Sequence, residues 1–339
     1  MLTSNLACGP MSREIIEAVF RHSHKFGAQL MLICSRNQVD ANSGYVFTTS
    51  EYVEYLARLK RAYPQADVVI CRDHCGPGFG TTPESDLGET RKTIRCDLEH
   101  GFDLIHIDLC HAKMSHDEKL RNTAELMRFA LEIKPDVMFE IGTDENVGVT
   151  ETDVARIVTD IQACQKVADP VFYVVQTGSL VREAYNAGSF DTNSVRAMHA
   201  ALAGCGVKLK EHNADYLDTR QITARKGIVD AVNIAPQLGV IQTSYLLSQA
   251  LVYGISTQPF IDEVIQGDRW RKWVDPSGNP QRMLFVLVAG HYHFNGSAYQ
   301  QLVDELALKI NVKEGILGEI TKVIEHYLFS LEGCYADHQ

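Results

Sequence analysis

Short apolar runs that end in polar or glycine-rich turns alternate along this chain with longer segments whose apolar residues recur at helical spacing. Leu6-Ala-Cys8 leads into 12–26, where Ile15, Ile16, Val19 and Phe20 form one apolar face behind a Ser12 cap. The pattern predicts a second strand at 29–34 and a third at 67–72, with further strands at 104–108 and from 137, 171, 207 and 228. Helices are predicted at 50–63, 87–100, 117–133, 152–167, 193–203 and 218–226, and an eighth runs from about 241 toward 266, broken near Pro259. Strands that alternate with helices make a parallel sheet. Eight such units in roughly 250 residues fit a closed (β/α)8 TIM barrel, α/β in class. Residues 1–266 are therefore expected to form the barrel. Residues 267–339 leave the repeat and read as a mainly helical extension packed on it, with Trp270, Trp273, a loop at 275–280 and a last helical pair at 299–330. That extension is a candidate oligomer contact, and no chemistry is assigned to it.

In such a barrel the active site lies at the carboxyl ends of the strands, where residues far apart in sequence converge on one mouth. The apolar run Val68-Val-Ile-Cys-Arg breaks there into Asp73 and His74 and then a Gly/Pro turn. The other strand ends offer Arg36, Asn37, Asp108, His111, Glu140, Gln176, Glu211, His212 and Asn233. Two histidines and a carboxylate are common donors to a catalytic divalent ion. His74, His212 and Glu140 are the first choice of ligands, and Asp73 is placed to move a proton. His106 is expected to be packed inside its strand. His22, His24, His100, His116 and His199 fall on helices or their ends, where surface or capping roles suffice. His291 and His293 read as a solvent-facing strand, or else as a second metal pair. Lys113 and Arg182 read as surface charges, with anion binding as the alternative.

Bulk properties narrow the class. Of 339 residues, 45% are hydrophobic and 22% charged, as in ordinary globular proteins. No apolar stretch approaches the roughly 20 residues of a membrane span. The amino terminus lacks the basic and long apolar regions of a signal peptide, which suggests a cytoplasmic chain. Nine scattered cysteines without a C-x-x-C pair argue against a disulfide framework or zinc ribbon. A net charge of -11 disfavours nucleic acid as a partner.

The ordered motifs Asn37-Gln-Val-Asp40, Asp73-His74-Cys-Gly-Pro77, Gly101-Phe-Asp-Leu-Ile-His-Ile-Asp108, Ile141-Gly-Thr143, Val174-Val-Gln176 and Glu211-His212-Asn-Ala-Asp-Tyr216 resemble the GatZ/KbaZ family. These are the Z subunits of tagatose-1,6-bisphosphate aldolase, related to class II fructose-bisphosphate aldolases. The resemblance runs from about residue 5 to 250. It implies Asp73 as proton donor, with His74 and His212 on a divalent ion, zinc first and manganese or cobalt as alternatives. Glu140 matches a glutamate of the catalytic aldolases, whereas Z subunits place an apolar residue there and a Glu where this chain has Asp144. Asn233 matches a residue that contacts the ketone portion of the substrate. Asn37, Gln38, Asp108, Gln176 and Glu211 complete the expected substrate-binding set. The third metal histidine of the catalytic aldolases has no counterpart after strand six, where Gln176-Thr-Gly-Ser179 stands. The glycine-serine phosphate clamp after strand seven is replaced by Asn213-Ala-Asp215. Arg36, Arg72 and Ser43-Gly-Tyr45 are further departures.

The expected function is that of a metal-dependent class II aldolase-like enzyme on a ketose phosphate, bisphosphate or related sugar, acting by aldol cleavage or retro-aldol epimerisation. The alternative is a non-catalytic subunit that stabilises a catalytic aldolase partner, in either case within an oligomer. A sugar-phosphate isomerase using Glu211 and Asp108 is a third reading.

Overall fold

The computed structural model describes residues 2–79, 87–274, 277 and 280–332. Eight parallel strands close into a barrel: β1 (Leu6–Cys8), β2 (Leu30–Cys34), β3 (Val68–Cys75), β4 (Leu104–Ile107), β5 (Met138–Gly142), β6 (Phe172–Val174), β7 (Lys208–Glu211) and β8 (Ala231–Ile234). Each pairs with its neighbours in sequence, and β1 closes the ring on β8. The intervening helices are α1 (Arg13–Phe26), α2 (Thr49–Ala62), α3 (Leu87–Glu99), α4 (His116–Ile133), α5 (Val154–Gln165), α6 (Thr192–Gly204) and α7 (Thr219–Arg225). Local chemistry starts them where the pattern predicts. Ser12 caps α1, and capping boxes open α2 at Thr48 and Glu51 and α4 at Ser115 and Glu118.

Side chains alternate across each strand, so every second residue points into the barrel. The lower interior is apolar, filled by Ala7, Met31, Ile33, Val69, Cys71, Leu104, Phe172 and Ala231. Two residues beyond Cys71, Leu104, Ala231 and Met138, which packs against this plug, stand Asp73, His106, Asn233 and Glu140. The polar layer thus rests directly on an apolar plug. Arg72, facing outward from β3, is fully buried and binds Asp97 of α3 at 2.6 and 2.7 Å and the carbonyls of Cys34 and Val39. It ties β3 to β2 and α3 just below the site.

Two expectations are corrected beyond α7. The break expected near Pro259 falls earlier: α8 (Pro236–Tyr253) stops at Gly254, whose φ of 65° lies in the left-handed region, and α9 (Gln258–Gln266) carries Pro259 in its first turn. The proline opens a new helix instead of breaking an old one. His291 and His293 are not on a solvent-facing strand, because α10 (Arg282–Ala289) runs into a 3-10 turn at Gly290–His293 and His291 is fully buried there. His22 is likewise buried, on α1, where a surface or capping role was expected. The last described elements are α11 (Ser297–Ala307) and α12 (Val312–Glu332), and α12 packs against α1, α7 and α8. Within the loop at 275–280, positions 275, 276, 278 and 279 lie outside the described residues. No helix among the described residues is long and apolar enough to cross a membrane.

Candidate active site

A bulge in β3 aims two consecutive side chains at one place. Arg72 pairs with Ile105 and Cys75 with Ile107, so three steps on β3 answer to two on β4. His74 absorbs the extra residue with a φ of 43°, left-handed backbone that costs a non-glycine residue about 1–3 kcal/mol. In a regular strand Asp73 and His74 would face opposite sides. Here both line the same cavity.

His74, His106 and His212 form a near-equilateral triangle, with ring centroids 5.0, 5.1 and 5.2 Å apart and planes steeply tilted to one another. Each ring gives one nitrogen to the protein. His74 Nδ1 donates to Asp108 Oδ2 at 2.8 Å, His212 Nε2 to Glu140 Oε1 at 2.8 Å and His106 Nε2 to the Gly142 carbonyl at 2.9 Å. These acceptors fix the tautomers, because a carboxylate or carbonyl can only accept. The three remaining nitrogens converge on Asp73 Oδ1, at 3.8 Å from His74, 3.3 Å from His106 and 3.8 Å from His212. His106 Nδ1 also accepts a long 3.2 Å bond from the His74 backbone N–H. One ligand atom from each of these four residues lies within 4.8 Å of the others.

Charge supports the same reading. Asp73, Asp108 and Glu140 bring three carboxylates to the centre, and Lys210, fully buried, brings one ammonium, 2.5 Å from Glu140 Oε2. Burial disfavours ionised Glu140, but Lys210 and the imidazoles of His106 and His212 outweigh it and hold the carboxyl down at about 2. Burial likewise works against charge on His74, yet Asp73 and Asp108 pull it up to about 9. His212 is lowered, mainly by burial. With the imidazoles neutral, the three carboxylates outnumber the one ammonium by two, and three imidazole nitrogens facing Asp73 suit a divalent cation that takes the place of the His74 proton.

The structure assembles part of the expected set. Asn37, Gln38 and Asn233 line a cavity of 510 Å³ with Asp73 and His74. Both amide atoms of the buried Asn233 lack a partner. Gln38 Oε1 accepts the Ser35 backbone N–H at 2.8 Å. Asp108 is committed within the protein, accepting from His74, from Thr143 Oγ1 at 2.9 Å and from the Cys110 N–H at 2.9 Å. Gln176, with Oε1 buried and unpartnered, opens with Asp108 onto a second cavity of 280 Å³ between the strand ends and α4 and α5. Glu211 is not brought to the mouth. It faces the other side of β7, where Arg225 binds it at 2.6 and 2.8 Å and Thr177 and Ser179 donate to it. Glu140 sits in the site, held between Lys210 and His212.

His106 was expected to be packed inside, and it is fully buried, but its free nitrogen belongs to the cluster. Its signal was its register: Leu104, His106 and Asp108 share one face of β4, and His106 pairs across to Glu140. Asp215 also has an unforeseen place. One carboxyl oxygen accepts the backbone N–H of Ala235 at 2.9 Å and of Gln237 at 2.8 Å, at the start of α8.

The chain matches no protein-family model and no curated sequence. In fold it is similar to a probable tagatose 6-phosphate kinase from Sinorhizobium meliloti 1021, with a TM-score of 0.83 at 16% identity over 96% of this chain and 99% of that one. A fructuronate-tagaturonate epimerase from Cohnella laeviribosi superposes with a TM-score of 0.64 at 13% identity, covering 98% and 82%. For a fructose-bisphosphate aldolase from Campylobacter jejuni the values are 0.62, 12%, 99% and 92%. At such identities the likeness is one of fold.

Proposed function

We propose that the chain is a divalent-metal-dependent enzyme of the class II aldolase type, acting on a ketose phosphate or related sugar by aldol cleavage or retro-aldol epimerisation. The observation that carries this reading is the triangle of His74, His106 and His212, each with one nitrogen anchored and the other turned toward Asp73. The motif resemblance to the GatZ/KbaZ family and the fold shared with an aldolase and an epimerase support it.

The three histidines are the proposed ligands, joined by Asp73 or a substrate oxygen, and three nitrogens with oxygen favour zinc, with manganese and cobalt as alternatives. Ligation by His106 exchanges its long contact with the His74 amide for the ion. Glu140 then serves by holding His212, and Asp108 by holding His74, as carboxylates behind metal-bound histidines commonly do. A bound ion supplies Lewis-acid polarisation of a ketose carbonyl. Asp73, open to the cavity, takes or returns the proton of the hydroxyl whose carbon-carbon bond breaks. Asn233 offers an unpartnered donor and acceptor to the ketone end. Cleavage and epimerisation ask the same work of these residues, and the choice between them lies in whether the aldehyde leaves or turns over.

A second reading, a stabilising subunit for a separate aldolase, draws support from Asp215, whose carboxyl takes backbone N–H groups near the place where barrels of this kind often hold phosphate. Metal content separates the two. The purified chain should hold close to one divalent ion per subunit, lost in a His74→Ala/His212→Ala variant, and should then be screened for cleavage and epimerisation of ketose phosphates and sugar acids. A wild-type chain that takes up no zinc, manganese or cobalt would leave the subunit reading in front.

A further inference from the structure

Part of the wall of the 510 Å³ cavity that His74 lines comes from beyond the barrel repeat. A 3-10 turn at Arg269–Lys272, between α9 and α10, brings Arg269, Lys272 and Trp273 to it, and Tyr292 follows from the second 3-10 turn. This rim is held in place. Trp270 is buried and stacks on Phe285 of α10 at 4.0 Å, and Trp273 Nε1 donates to Tyr292 Oη at 3.2 Å. Arg269 lies over the Tyr292 ring at 5.0 Å and Lys272 over Trp273 at 4.9 Å, so each cation is braced by an aromatic face.

Among the described residues neither cation is in an ion pair. Their neighbour Arg271 is, with Asp268 at 2.7 Å, and that contact also occupies the one carboxylate of this turn that lines the cavity. Meanwhile the N–H groups of Ala235 and Gln237, the customary kind of phosphate cradle, are filled by Asp215. Among the described residues that line this cavity, Arg269 and Lys272 are the lysine and arginine side chains open to an anionic ligand.

We infer that the substrate is an anionic sugar whose phosphate or carboxylate sits between Arg269 and Lys272 while its carbonyl end faces His74 and Asn233. This inference rests on the sugar-converting reading and narrows it. In a chain of net charge -11, two cations at the mouth also draw an anion to a centre that is otherwise acidic.

The chain's two tryptophans, Trp270 and Trp273, both belong to the rim segment and report on it. At fixed ionic strength, their fluorescence is titrated with fructose 1,6-bisphosphate, glucuronate and uncharged fructose, and bound metal is measured on the same samples. One anionic probe should saturate the signal, the bisphosphate if the group is phosphate and glucuronate if it is carboxylate. Arg269→Gln/Lys272→Gln should weaken it about tenfold or more, and Arg269→Lys/Lys272→Arg should restore most of it. An unchanged titration in the Gln variant overturns the rim site, as does a wild type that saturates with neither anion. A metal-free chain whose anion binding still depends on Arg269 and Lys272 sinks the aldolase reading and leaves the rim site standing. A metal-bound chain indifferent to the two substitutions does the reverse.

Discussion

His74 donates its Nδ1–H to Asp108 across 2.8 Å, and this bond decides that Nε2 is the nitrogen turned toward Asp73. Asp108→Asn keeps the shape but can place an amide N–H against Nδ1, which favours the tautomer with hydrogen on Nε2. Metal affinity should fall 10–100-fold with little loss of folding. Competition against a chromophoric chelator measures it, and an unchanged affinity would remove Asp108 from this role.

His106 carries the sharpest test of the ligand set. If it completes the triangle, His106→Ala should lose stoichiometric metal as fully as His74→Ala does. If His74, Glu140 and His212 suffice without it, the variant should keep its ion. Metal analysis after dialysis distinguishes the two outcomes, with circular dichroism to show that the barrel remains.

How far the sequence reveals such a site depends on what each residue needs to be placed. Asp73, Glu140 and Asn233 end separate strands, and the barrel topology alone brings strand ends together. His106 stands in the same layer but inside an apolar stretch of its strand, so its role emerges only when alternation is followed from Leu104 and the register with Glu140 is known. Glu211 shows the opposite case. It adjoins His212, yet alternation sends it outward to Arg225. Arg269 and Lys272 come from a turn outside the repeat, and packing between Trp270 and Phe285, invisible to periodicity, sets where that turn lies.

Lys210 is the only buried ammonium beside Glu140 among the described residues, and the two are fully enclosed. Lys210→Met leaves a buried carboxylate short of its main compensating charge, which should cost about 3–5 kcal/mol. Lys210→Met/Glu140→Gln should recover a large part of that. Urea denaturation of the wild type, Lys210→Met, Glu140→Gln and the double variant gives the coupling between the residues, and additive losses would show that Glu140 does not depend on Lys210.

Asp215 makes stability depend on pH in a direction opposite to that of most carboxylates. Burial outweighs its bonds from Gln237 and Ala235 and pushes its carboxyl up to about 7, against about 3.9 in an unfolded chain. Below the unfolded value both states hold the proton and nothing is lost. As pH rises from about 4 to 7 the unfolded chain releases its proton first, so this residue's contribution falls, and above 7 it stays low. The full span is on the order of 4 kcal/mol at most. Asp215→Asn keeps an oxygen to accept from Ala235 and Gln237 but cannot ionise. Its stability relative to wild type should therefore climb across pH 5–7 and level off by pH 8, as read from urea midpoints at each pH. A difference that stays constant over that range would mean that Asp215 titrates like an exposed carboxylate, with its pKa near the unfolded value in the folded chain as well.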